Sequence, residues 1–125
     1  MEYLLDTHAI LWYAQGSSDL SSNAKNLMEN EICYFSMASF WEIAIKQKLN
    51  KLDATLSIPD LEEFCLDMGF LPLEITSSQI ENTKTLPFIH RDPFDRLLIS
   101  QAQKANLTII TCDSIIPQYA VKTVW

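Results

Sequence analysis

Four carboxylates occupy stretches where an isolated negative charge is costly. Asp6 is the only acid from Tyr3 through Gln15, with no Lys or Arg beside it. Glu42 is the only charge from Ile32 through Ile45, a run rich in Cys, Tyr, Phe, Met, Trp and Ile. Asp113 stands alone between Leu107 and Ile116. Asp95 follows Asp92 by three residues, at what reads as a helix start. An unpaired carboxylate in apolar surroundings costs several kcal/mol, so each needs partners or a cation. The economical arrangement gathers the acids around a metal. Four hard oxygen donors suit Mg2+ or Mn2+, which prefer carboxylate and water. Zinc does not fit, because His8 and His90 lack ligand spacing and the cysteines are scattered.

Each acid also has a structural explanation. Asp6 and Asp92 can cap the helices that follow them, and capping accounts for Asp92 completely. Ser39-Phe40-Trp41-Glu42 matches the S-x-x-E capping box, although a helix capped at Ser36 would already contain Ser39. Asp95, at the third helical position, is welcomed by the helix dipole, and Asp113 can serve a turn. Five of the nine basic residues lie near proposed ligands: Arg91 and Arg96 flank Asp95, while Lys46, Lys48 and Lys51 follow Glu42. They can steer phosphate, or they are solvated charges, with Arg96 paired to Asp92.

The positioning elements follow from apolar spacing. Tyr3-Leu4-Leu5 predicts a strand ending at Asp6, then a helix over 7–15 closed by Gly16. A second helix, capped at Ser21 or Ser22, runs to Glu29, and Ile32-Cys33-Tyr34-Phe35 is the next strand. Met37, Phe40, Trp41, Ala44 and Ile45 recur at helical spacing between Ser36 and Leu49. Pro59 opens another helix, with Gly69 just past its end. Residues 70–73 form a strand that Pro72 confines to a sheet edge. Ser77 or Ser78 caps a helix reaching Leu86, and Asp92-Pro93 opens one with Phe94, Leu97, Leu98 and Ala102 in a stripe. Leu107–Thr111 and Val121–Trp125 complete the strands, the last at an edge. This alternation means α/β, with a mainly parallel sheet covered on both faces. In such sheets, sites form beyond the carboxyl ends of the strands, where Asp6 and Asp113 fall.

With 125 residues and 14.3 kDa, the chain suits one domain, 1–125, with a real core. A hydrophobic fraction of 48% excludes disorder, and a net charge of −7 argues against a protein that simply coats polyanions. Cys33, Cys65 and Cys112 each sit in an apolar run and are expected as buried, reduced thiols of a cytoplasmic protein. Residues 1–6 lack the basic start of a signal peptide, and no stretch approaches the roughly 20 apolar residues of a membrane span.

Four segments together resemble a known family. They are Leu4-Leu5-Asp6-Thr7-His8-Ala9-Ile10-Leu11-Trp12, Ser39-Phe40-Trp41-Glu42-Ile43-Ala44-Ile45-Lys46, His90-Arg91-Asp92-Pro93-Phe94-Asp95-Arg96-Leu97-Leu98 and Ile109-Ile110-Thr111-Cys112-Asp113. In order and spacing, over essentially the whole chain, they resemble PIN-domain proteins, specifically VapC-type toxins of type II toxin–antitoxin systems. The resemblance implies a PIN-like three-layer α/β/α fold and an endoribonuclease dependent on Mg2+ or Mn2+. Its acidic quartet falls on Asp6, Glu42, Asp95 and Asp113. Thr7 and Thr111 match polar positions beside the first and last acids, and with Lys46, Arg91 and Arg96 they are expected at the substrate. A cognate antitoxin and a homodimer are the implied partners.

Phosphodiester cleavage needs a nucleophile in line with the leaving oxygen and neutralisation of charge on phosphate. A carboxylate-held divalent ion serves both ends; two ions roughly 3.5–4 Å apart would divide the tasks. Asp6 and Asp95 are expected to hold the principal ion, Glu42 to ligate or act on water, and Asp113 to ligate or support. By the same resemblance, products carry 5′-phosphate and 3′-hydroxyl ends. Trp12 and Trp41 are expected in the core or a dimer interface. A phosphorylated receiver domain would need adjacent acids after the first strand and a Lys after the last parallel strand. A haloacid-type phosphatase would need Asp-x-Asp, and Thr7-His8 breaks both patterns. The serious rival is a catalytically inactive scaffold of the same fold, binding RNA or protein.

Overall fold

A computed structural model describes residues 1–52 and 55–125. Short apolar runs form strands β1 (Glu2–Leu5), β2 (Ile32–Ser36), β3 (Leu71–Leu73), β4 (Thr108–Ile110) and β5 (Thr123–Val124). Between them lie α1 (Thr7–Gln15), α2 (Ser22–Asn30), α3 (Met37–Lys48), α4 (Ile58–Asp67), α5 (Ser77–Asn82) and α6 (Pro93–Ala105). Short 3-10 turns cover Thr83–Thr85 and Ile116–Gln118.

The strands form one sheet in the order β3-β2-β1-β4-β5, and every pairing is parallel, not merely most of them. Pro72 pairs with Phe35 on the edge strand β3, where its missing N–H is tolerated. Alternation along each strand feeds two cores. Tyr3, Leu5, Cys33, Phe35 and Ile110 face one layer with α1 to α4; Leu4 and Ile109 face the other with α6. The result is a three-layer α/β/α sandwich, and burial on both faces is why the strands read as continuous apolar runs.

From β1 the chain steps outward through β2 to β3, then returns to the far side of β1 for β4 and β5. The switch in direction therefore lies between β1 and β4. Asp6 follows β1 directly, and Asp113 lies three residues beyond β4.

Several boundaries differ from expectation. Thr76, not Ser77 or Ser78, caps α5, in a reciprocal capping box with Gln79, and the helix ends at Asn82 before the 3-10 turn. Helix α4 starts at Ile58 with Ser57 as its cap. Strand β5 has only 2 residues; Val121 and Lys122, expected in it, lie in irregular chain after the 3-10 turn at Ile116–Gln118. Cys33 and Cys65 are buried, but Cys112 is exposed. It follows the end of β4, where the chain has left the covered part of the sheet. The stripe on α6 divides too: Leu98 and Ala102 enter the core, whereas Phe94 meets Trp41 edge to face at 5.4 Å.

Candidate active site

The carboxyl edge of β1 and β4 collects the acids. Asp6 is the N-cap of α1, accepting from the Thr7 N–H at 2.7 Å. Its second oxygen accepts from the Thr111 hydroxyl, also at 2.7 Å. Capping and site geometry are thus the same fact: Asp6 is buried because the helix it caps starts at the edge of the sheet. Burial raises its pKa, the Thr111 hydrogen bond and the His8 charge oppose this, and Glu42 adds repulsion.

Glu42 is buried in the second turn of α3. Ser36 caps that helix, accepting from the Ala38 N–H at 3.2 Å, so Ser39 and Glu42 form no capping box and Glu42 is not in the first turn. Glu42 accepts from the Thr7 hydroxyl at 2.8 Å, and that hydroxyl also lies 3.0 Å from Ser39 Oγ. The other Glu42 oxygen accepts from Lys46 Nζ at 2.7 Å, one helical turn on. Although burial works against its charge, Lys46 is held above its ordinary pKa by the bond to Glu42 and by the fields of Asp92 and Asp95.

Asp92 caps α6, accepting from the Phe94 N–H at 2.8 Å, and Pro93 occupies its first turn. This places Asp95 at N3, buried. Burial first, then the charges of Asp6, Asp92, Glu42 and Asp113, push its carboxyl up to about 8. Asp113 is half-buried; against the effect of burial, the Ile115 N–H and His90 hold its carboxyl below the ordinary range.

His90 is the residue that sequence reasoning missed. Its Nε2 lies 3.0 Å from Asp95 Oδ2 and 3.0 Å from Asp113 Oδ2. The loop that carries it is pinned by Tyr119, whose hydroxyl accepts from the His90 N–H at 2.6 Å and donates to the Pro87 carbonyl at 2.8 Å. The available signal was position: His90 stands two residues before the Asp92-Pro93 helix start. Its partner Asp113 is 23 residues further along the chain, so no short-range spacing marks the pair.

Of the residues expected at the substrate, Thr7 and Thr111 hold carboxylates and Lys46 is paired to Glu42. Arg96 does not pair with Asp92. Its guanidinium donates to the carbonyls of Pro87 at 3.0 Å and Thr83 at 3.1 Å, with Leu86 at 3.3 Å, and so anchors the loop before α6. It also stands over the Phe88 ring. Arg91 is exposed.

The donor set fits a hard divalent cation. Protein hydrogen bonds do not saturate the carboxylates, since each oxygen has two lone pairs and, among the described residues, Asp95 Oδ1 accepts no hydrogen bond. Four acids share this edge while, among the described residues, Lys46 is the Lys or Arg paired to one of them. A divalent ion would offset both the burial and the neighbouring negative charges that together push the Asp95 carboxyl upward.

Among curated proteins, none matches this sequence. The fold is similar to that of VapBC2 from Rickettsia felis bound to a DNA fragment from its promoter, at 15% identity and TM-score 0.73, covering 99% of this chain and 98% of that one. It is similar to a toxin-antitoxin complex from Klebsiella pneumoniae at 16% identity and TM-score 0.66, covering 98% and 96%. VapBC-1 from nontypeable Haemophilus influenzae is similar at 17% identity and TM-score 0.66, covering 99% and 97%. At these identities the likeness speaks for the fold. A family-level match, to the PIN domain, spans residues 3–122. With nearly its full length matched and a parallel sheet that gathers acids at its switch point, this chain belongs to the PIN-domain family.

Proposed function

We propose that this chain is an endoribonuclease dependent on Mg2+ or Mn2+, the toxin of a VapC-type toxin–antitoxin pair, with residues 1–125 acting as one PIN domain. The observation that carries the reading is the gathering of Asp6, Glu42, Asp95 and Asp113 at one sheet edge, where their repulsion already disturbs Asp95. An ion bound there stabilises charge developing on phosphate and lowers the pKa of a water. Asp6 and Asp95 hold the principal ion. Glu42, fixed by Thr7 and Lys46, orients a water or joins the ligands, and Asp113 supports them.

The neighbours that are toxin–antitoxin complexes support an antitoxin partner. The expected homodimer has a suitable face in an apolar groove of about 550 Å3 between α3 and α6, lined by Met37, Trp41, Ile80, Phe94 and Leu97. Action in the cytoplasm is part of the same proposal; among the described residues no helix is long and apolar enough to cross a membrane. RNA approaches past Arg91, which is exposed on the chain between His90 and Asp92.

The test is incubation of the purified protein, free of antitoxin, with total RNA. Cleavage is expected with Mg2+ or Mn2+, leaving 5′-phosphate ends, and is lost with chelator and in Asp6→Asn. No cleavage and no metal binding would instead support the inactive scaffold.

A further inference from the structure

His90, Asp95 and Asp113 bring their side-chain ligand atoms within 4.8 Å of one another, a grouping that invites a reading of His90 as a third metal ligand. The hydrogen bonds around the ring argue otherwise. A metal-ligating imidazole donates its second ring N–H to a carboxylate or carbonyl, leaving the ligating nitrogen bare. Here the second nitrogen accepts: the Asp92 N–H donates to His90 Nδ1 at 3.2 Å. That lone pair is therefore used, and the ring proton belongs on Nε2, the atom facing Asp95 and Asp113. This is also the tautomer that the Asp113 carboxylate requires, since its Oδ2, 3.0 Å from Nε2, accepts; Asp95 Oδ2 stands at the same distance.

We infer that His90 is a positioning residue and not a ligand. Its Nε2–H donates to Asp113 Oδ2 and faces Asp95 Oδ2 at the same 3.0 Å, which holds the carboxylates of α6 and of the loop after β4 at one point and leaves their other lone pairs for a cation. The backbone makes the ring's place definite. Tyr119 Oη accepts from both the Ile89 and His90 N–H groups, at 3.1 and 2.6 Å, and Asp92, which orients the ring, is itself fixed as the α6 cap. The inference rests on the proposed metal site and adds the group that assembles half of it.

The tests are Mn2+ affinity, by paramagnetic resonance of free Mn2+, and nitrogen-15 NMR of the histidines. His90→Ala should bind Mn2+ about 10- to 100-fold more weakly, the usual cost of losing an outer partner of a metal site. His90→Gln, whose amide N–H reaches about as far as Nε2–H, should recover most of that affinity. In the wild type, the spectrum should show the Nε2–H tautomer for His90 and keep it when Mg2+ is added. Equal affinity of wild type and His90→Ala overturns the inference, as does a proton on Nδ1 in the Mg2+-bound protein. Failure of His90→Gln to exceed His90→Ala overturns it too. A wild type that binds neither Mg2+ nor Mn2+ while its NMR spectrum is well folded removes the metal site itself, a different failure.

Discussion

The two halves of the acidic edge are built by different means. Asp6 and Glu42 stand on regular elements, at the β1–α1 junction and inside α3, and are held by hydroxyls and a lysine of α1, α3 and the end of β4. Asp95 also stands on a helix, at N3 of α6, but Asp113 lies on irregular chain, and the two carboxyls meet at a histidine that Tyr119, Arg96 and the Asp92 N–H keep in place. Backbone hydrogen bonding of helix and sheet fixes the first half. A relay of side chains brings the two acids of the second together, so their meeting is open to disruption from a distance.

The largest effect should come from Asp95→Asn. Cleavage should fall about 100-fold or more, since metal-assisted charge stabilisation contributes several kcal/mol. The metal-free protein should nevertheless become more stable at pH 8, because a repelled acid has been removed. A variant that loses both activity and stability would break the view that this half stores repulsion.

Arg96→Ala should come next, lowering stability by about 2–3 kcal/mol through loss of charged hydrogen bonds to the carbonyls before α6, measured by urea unfolding. It should also weaken Mn2+ binding roughly tenfold by freeing the His90 loop. In the other half, Lys46→Ala removes a partly exposed charge and leaves buried Glu42 the Thr7 hydroxyl as partner, so it should cost about 1–2 kcal/mol. Equal losses from the two would erase the distinction between the halves.

Protons provide a further test. Asp95 titrates near 8 when folded but near its ordinary 3.8 when unfolded, so between those values the folded chain binds the extra proton. Stability of the metal-free protein should therefore be greatest near the low end of that window and decline as pH rises to 8. Asp6, shifted in the same direction, adds to the slope. Asp113, shifted downward, contributes stability that is lost only as pH falls below its ordinary range. Mg2+ should raise Tm more at pH 8 than at pH 5, where protons compete for the acids; a Tm that climbs steadily with pH would contradict this.

The smallest effect belongs to Arg91→Ala. If its exposed guanidinium meets phosphate, the slope of log binding against log salt should fall by about one, with catalysis per bound RNA unchanged. An unaltered slope removes Arg91 from the RNA path.

Much of this was legible without coordinates. Asp6, Glu42 and Asp113 stood out as lone charges in apolar runs, and Asp92-Pro93 marked the start of α6 and so the placement of Asp95. The parallel sheet followed from alternation of strand and helix. Boundaries were less legible where two caps compete, as at Thr76 and Ser77, or where a strand is only 2 residues long. Cys112 misled because an apolar neighbourhood in sequence continues past the point where the sheet stops covering it.

By itself the sequence determined which residues cannot be left in apolar surroundings unaided, because the cost of burying a charge depends on residue type and local company. Tertiary structure alone decided how each was answered. That His90 bonds Asp113 while facing Asp95, that Lys46 is spent on Glu42 and that Arg96 holds a loop are long-range or directional hydrogen bonds and ion pairs. Such bonds depend on distances and lone-pair directions of a few ångströms, which arise only when the strands fix their register and the helices pack upon them.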